Sequence, residues 1–225
     1  MGIILSIETA TTNCSVALSR YGDTFALLED YDNNYSHAER LHVYIDRILK
    51  ENKLSTGDLD AVAVSKGPGS YTGLRIGVSA AKGLCFSLDK PLISVPTLEA
   101  LSRQVKTEDG FIVPMLDARR MEVYCSVFDS EYNSLKDTEA RILDENSFEE
   151  YLNQGKVHFI GNGVEKTKAL LSHKNAVFHQ GKLPSAKEIG SLAYKKLKIN
   201  NIEDVAYFEP YYLKDFIALK PKSKG

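Results

Sequence analysis

Residues 61–77 read AVAVSKGPGSYTGLRIG. The first five, Ala61 to Ser65, form a continuous apolar run of the kind that fits a strand at the centre of a sheet. The next twelve turn sharply, because Gly67, Pro68 and Gly69 cannot continue an extended run. A helix is then predicted from near Thr72 to about Leu88. Its N-terminus offers unpaired N–H groups and so a place for an anion. The known phosphate fingerprints fail, however. No Gly-Lys-Ser/Thr closes a four-residue spacer, and Thr72 stands where the dinucleotide pattern needs glycine. The spacing favours a structural turn with close helix packing over a phosphate cradle.

That second helix carries two stripes. Leu74, Val78, Ala81, Cys85 and Leu88 form one; Gly73, Gly77, Ala80 and Leu84 form an adjacent stripe of mostly small residues. Only Arg75, Ser79 and Lys82 make a polar edge. A helix apolar around most of its circumference is buried on more than one side. Two readings stand: a central helix within one lobe, or a helix half in the core and half in a subunit interface.

Upstream, residues 3–7, 14–19 and 24–29 read as strands, with Tyr21-Gly22-Asp23 as a tight turn. A first helix over 36–52 begins with a capping box, Ser36 to Glu39, and Leu41, Ile45, Ile48 and Leu49 give its apolar face. Downstream the order returns. Residues 111–116, 122–128 and 136–143 read as strands. A short helix over 147–153 is capped by Ser147 and Glu150. A strand over 157–160 and a helix over 164–171 follow, and a last helix capped by Ser185 and Glu188 runs to about Lys198. Two tandem βββαβα units are the pattern of the α/β actin-like ATPase (ribonuclease H-like) fold, with lobes expected at 1–105 and 106–225 and a hinge between Arg103 and Gly110. In such folds the cleft between lobes holds ATP; the topology says where a ligand would sit, not whether it does.

Bulk properties narrow the function classes. The chain has 225 residues, a net charge of −2 and 43% hydrophobic residues, enough for a sizeable core but without the basic excess of a protein that grips nucleic acid alone. The dense basic stretch, Lys220, Lys222 and Lys224, reads as a frayed terminus. Cys14, Cys85 and Cys125 are odd in number and far apart, which points to reduced, buried thiols in the cytoplasm. The chain starts on a strand with no basic leader and contains no long apolar segment, so neither secretion nor membrane spanning is expected.

Candidate chemistry is sparse. Glu8 ends the first strand beside the polar turn Thr9-Ala10-Thr11-Thr12-Asn13. In actin-like kinases an acid there holds a magnesium-bound water and the turn touches phosphate, so Glu8, Thr11 and Thr12 are the candidate cofactor residues and ATP or ADP the candidate ligand, in the cleft or at an interface of a complex. The alternative is a strand-end carboxylate over a hydroxyl-rich hairpin. Asp117-Ala118-Arg119-Arg120 sits at the matching turn of the second lobe, as a second phosphate loop or a charged turn with a salt bridge. His37 and His42 stand five apart, about 140° around a helix, so they cannot face one metal as a zinc HExxH pair does. No other histidine shows ligand spacing, and no Ser/His/Asp triad or reactive cysteine setting can be assembled. An ATP-using enzyme and, less so, a metallopeptidase are the rival readings.

Four stretches occur in order: Ile4 to Ala10, Gly67 to Gly77, Leu116 to Tyr124, and Glu209-Pro210-Tyr211-Tyr212-Leu213. Together they resemble the TsaB family, also called YeaZ, over nearly the whole chain. The resemblance implies an actin-like fold and a cytoplasmic role in making threonylcarbamoyl-adenosine of tRNA. It implies pairing with TsaD, a homologous subunit that carries the metal and transfers the group. The ATPase TsaE joins, TsaC supplies the threonylcarbamoyl-adenylate, and tRNA is met only through the complex. It also implies that the first two helices form the dimer face, in a heterodimer or a homodimer. On that basis Leu41, Tyr44, Ile48, Gly73, Gly77, Ala80 and Leu84 are the expected partner-interface residues. This chain offers no match to the metal-binding histidine pair of TsaD relatives, which favours a non-catalytic subunit.

Overall fold

The structure, a computed structural model, describes residues 2–30 and 37–214. Ser36 and the lysines at 220, 222 and 224 lie outside these residues, as do the capping box and basic tail read from them.

The chain begins with an antiparallel meander of β1 (Ile3–Glu8), β2 (Cys14–Arg20) and β3 (Asp23–Asp30). Then come α1 (His37–Glu51), β4 (Ala61–Ser65), α2 (Tyr71–Leu88), β5 (Leu92–Val95) and α3 (Thr97–Ser102). The second half repeats this with β6 (Phe111–Asp117), β7 (Glu122–Asp129), β8 (Ser134–Ile142), α4 (Glu149–Leu152), β9 (Val157–Ile160), α5 (Val164–Leu170), β10 (Ala176–His179) and α6 (Ala186–Lys198). The two sheets run β3-β2-β1-β4-β5 and β10-β9-β6-β7-β8, the same order twice. In the first, β1 pairs antiparallel with β2 and parallel with β4, which pairs parallel with β5. This is the duplicated α/β arrangement of the actin-like fold.

Three elements were not expected: β5, α3 and β10. α2 starts one residue earlier than predicted, because Ser70 caps it by accepting the Gly73 N–H at 3.2 Å. Ser147 does not cap α4; its hydroxyl is taken up with Asp144, donating to Oδ1 and accepting the Asp144 N–H, both at 2.9 Å. Ser185 does cap α6, accepting the Lys187 N–H at 3.2 Å.

The two sheets divide between Val95 and Phe111, but two helices cross from one half of the chain to the other. α3 leaves the first half to pack on the second sheet, where Leu98 and Leu101 meet Ile112, Leu116 and Ile160. α6 goes the other way: Ile189, Leu192 and Ala193 cover Ile4, Ala61, Ala63, Ile93 and Val95 of the first sheet. The chain after α6 stays with the first lobe. Glu203 N–H donates to Leu92 O at 2.8 Å, Lys82 Nζ donates to the carbonyls of Ala206 and Phe208, and Tyr211 N–H donates to Lys66 O at 2.7 Å. A boundary near residue 105 separates the two sheets but leaves α3 and α6 each packed on the opposite lobe, and their buried apolar surface binds the lobes together. Among the described residues no helix is long and apolar enough to cross a membrane.

Candidate functional site

β1 delivers Glu8 to the point where the sheet ends and the turn to β2 begins. Its carboxylate is 0% exposed. Oε1 accepts from the Ala10 N–H at 2.6 Å and from Ser65 Oγ on β4 at 2.7 Å. Oε2 has no hydrogen-bond partner among the described residues. Burial pushes its pKa up to about 7, against the pull of these hydrogen bonds. The glycine-rich loop lies over this turn. Ser70 N–H donates to Ala10 O at 2.7 Å, and a side chain at Gly69 would run into Ala10. Gly67 sits at φ +112°, with Tyr211 O only 2.6 Å from where a Cβ would be.

The matching turn of the second lobe, between β6 and β7, is braced by three side chains. Asn162 Oδ1 accepts the Asp117 N–H at 2.8 Å, and Asp117 Oδ1 accepts the Arg119 N–H at 2.6 Å. Lys166 Nζ donates to Asp117 Oδ1 and to the carbonyls of Arg120 and Glu122, at 2.7 to 2.8 Å. A salt bridge, Lys166 to Asp117, therefore forms at this turn. Between the two turns opens a cleft of about 590 Å³, walled by Thr11 and Ser70 to Thr72 on one side, Asp117 to Arg119 and Tyr124 on the other, and Tyr211 to Lys214 across the mouth. Of the three candidate cofactor residues, Thr11 alone lines the cleft. Glu8 lies beneath the turn, sealed by Ala10 and Ser65, and Thr12 is not part of the wall.

A second concavity, about 650 Å³, runs between α1 and α2, lined by Ala38 and His42 from one helix and by residues including Arg75, Ile76, Ser79, Ala80, Gly83 and Leu84 from the other. Ala80 and Leu84 are thus where an interface reading needs them. The other expected interface residues do not line this groove. Leu41 and Ile48 are buried in the first-lobe core, because the apolar stripe of α1 faces its own sheet. Tyr44 packs at the edge of that core and donates its hydroxyl to Asp30 Oδ2 at 3.0 Å. Gly73 and Gly77 are buried against Thr9. The small-residue stripe is therefore split: its first half admits the β1–β2 turn, and its second half opens on the groove. Sequence reasoning missed Tyr71, which lines both groove and cleft and stacks on Tyr212 at 4.8 Å between centroids. Its signal was the position just after the cap.

The histidines separate as their spacing implied: His37 is buried with Nε2 2.7 Å from Thr11 O, and His42 faces the groove. The fold joins His158 and His179, whose Nδ1 and Nε2 are 3.0 Å apart; twenty-one residues of intervening chain hid this. No group of three or more His, Cys, Asp or Glu able to hold a metal occurs among the described residues. The three cysteines are buried and free, and burial pushes their thiols up to about 11 at Cys14 and Cys85 and about 12 at Cys125, which leaves them protonated and unreactive.

Comparison with known proteins adds sequence relatives to this geometry. The family model described as "TsaD: tRNA N6-adenosine threonylcarbamoyltransferase" matches residues 33–222. The chain is 31% identical over 226 residues to the tRNA threonylcarbamoyladenosine biosynthesis protein TsaB of Escherichia coli (strain K12), covering 96% of each. It is 38% identical over 125 residues to the protein of the same name from Bacillus subtilis (strain 168), covering 56% of this chain and 54% of that one. Among solved structures, YeaZ from Pseudomonas aeruginosa superposes with a TM-score of 0.83 at 25% identity, over 95% of this chain and 100% of that one.

Proposed function

The chain belongs to the TsaB family of tRNA threonylcarbamoyladenosine biosynthesis proteins, and from that premise we propose that it is the activating partner subunit of the transferase rather than the transferase itself. In this reading it works in the cytoplasm and pairs with a TsaD-type subunit through the groove between α1 and α2. A TsaE-type ATPase joins the pair, and tRNA is engaged by the assembly. ATP or ADP binds at an interface of the assembly and not through Glu8 and Thr12.

One observation carries the reading. Arg75, Ser79, Gly83 and Phe86 fall within about 80° of one another around α2, and Phe86 is 85% exposed at the end of that face. A large apolar side chain held in water beside a groove with Ile76, Ala80 and Leu84 in its wall is the anatomy of an interface core with a polar rim. Glu8, by contrast, is buried, with Oε1 bonded to the Ala10 N–H and Ser65 of its own lobe, as suits a hairpin support.

The test is capture of the tagged chain from native cytosol at low expression. A TsaD-type subunit at roughly equal stoichiometry supports the reading. Recovery of a second copy alone, with no TsaD-type subunit, counts against it.

A further inference from the structure

Resting on the family reading above, we propose that the mouth of the interlobe cleft is a direct RNA contact. Arg119 and Arg120 would hold phosphates of a single-stranded segment, and Tyr211 and Tyr212 would offer faces for its unpaired bases.

Charge is the first argument. Of the acids near the mouth, Asp117 is engaged by Lys166 and Glu122 by Lys214, while Glu209 stands near Tyr212. Arg119 and Arg120 are exposed, and no hydrogen bond or ion pair joins either guanidinium to a described residue. A chain of net charge −2 thus presents two uncommitted guanidinium groups at one turn, the side chain best matched to phosphate oxygens.

Backbone is the second. Both arginines lie in the left-handed region, at φ +70° and +49°, where glycine or asparagine is at home and a long side chain is not. The Asp117, Asn162 and Lys166 braces hold them there. Consecutive positive φ values suit a tight hairpin, so the braces fix a turn that carries both arginines outward.

The third is aromatic surface. Tyr211 and Tyr212 are 44% and 37% exposed at the same mouth, and Tyr212 packs against Tyr71 with the rings tilted by 36°. Positive charge on the backbone side with tyrosine faces beside it is how proteins take unpaired nucleotides. Phosphate plus an open base is also the chemistry of a free mononucleotide, so the test separates the two.

Binding of an unmodified tRNA that reads codons beginning with A is measured by fluorescence anisotropy over a salt series. The chain is used in its complex with the TsaD-type subunit. Should no complex form, the partner reading fails and the same series on the chain alone decides this proposal. Arg119→Gln with Arg120→Gln is expected to weaken binding about tenfold or more at low salt and to reduce the salt slope by about 1.4, roughly 0.7 for each single-strand phosphate contact. Arg119→Lys with Arg120→Lys should keep most of the slope, and Tyr212→Leu should lose affinity with the slope unchanged. Affinity and slope unchanged in the glutamine variant would overturn the proposal. So would loss of ATP binding with tRNA binding intact, or loss of subunit pairing in place of RNA affinity.

Discussion

Gly77 and Thr9 touch with no room for a methyl group: a Cβ on Gly77 would stand 2.3 Å from Thr9 Oγ1, a hydroxyl that donates to Gly73 O at 2.8 Å. Gly73 is tighter still, with Thr9 O 2.1 Å from its would-be Cβ. α2 and the β1–β2 turn are pressed together here, and the glycines serve the lobe's own core.

Alanine scanning of these glycines should therefore change sign along the helix. Gly→Ala within a helix gains about 1 kcal/mol of propensity, but overpacking costs about 1–3 kcal/mol, so Gly73→Ala and Gly77→Ala should lower stability. At Gly83 nothing lies within 4 Å of a Cβ, and Gly83→Ala should raise stability by up to about 1 kcal/mol while adding a methyl group to the groove. Urea denaturation of the three variants measures this; equal effects at all three would contradict the packing described.

What the sequence made legible follows from periodicity. The strand–turn–helix at 61–77, the two meanders and the long helices all announce themselves. β5 and β10 have four residues each, as does β9, which was expected; β5 follows Pro91 and runs into Pro96, which disguised both it and α3, and β10 follows the polar run Ser172-His173-Lys174-Asn175. The exchange of α3 and α6 between lobes was not readable, because an apolar stripe says that a face is covered and not by what. The same limit left Gly73 and Gly77 open between core and interface until Thr9 appeared against them. The candidate site was half legible: Glu8, Thr11 and the Asp117 turn stand where the strand ends put them, but the burial of Glu8 and the arrival of Tyr211 and Tyr212 over the cleft depend on contacts distant in sequence.

Partner binding and stability should separate at Phe86. Being 85% exposed, Phe86→Asp should alter stability by no more than about 0.5 kcal/mol. A charge there should weaken association with the TsaD-type subunit at least about tenfold, since a buried unpaired carboxylate opposes docking. Calorimetric titration of the two purified subunits, with thermal melts of the variant as the control, gives both numbers. Wild-type affinity in a folded Phe86→Asp protein would move the interface off this face.

Glu8 makes stability depend on pH in a stated direction. Its folded pKa is raised from 4.5 to about 7, so between those values the folded chain holds a proton that the unfolded chain has released. Stability from this group is fully present below about pH 4.5 and is lost as pH rises to about 7, a fall of about 3 kcal/mol. Glu8→Gln keeps a neutral side chain throughout and should flatten that part of the profile. Denaturation at pH 5, 6, 7 and 8 compares the two proteins; parallel profiles would mean that Glu8 is ionised in the folded state.

The division of labour is tested most directly by reconstitution. TsaC-, TsaD- and TsaE-type proteins, ATP, threonine, bicarbonate and unmodified tRNA are combined with and without this chain, and threonylcarbamoyl-adenosine is quantified by mass spectrometry of digested tRNA. An activating partner predicts multiple turnovers only when the chain is present, none from the chain without the TsaD-type subunit, and full activity from a folded Glu8→Gln variant at a pH where both proteins are stable. Product from the chain in the absence of the TsaD-type subunit, or undiminished turnover in the absence of the chain, would contradict it.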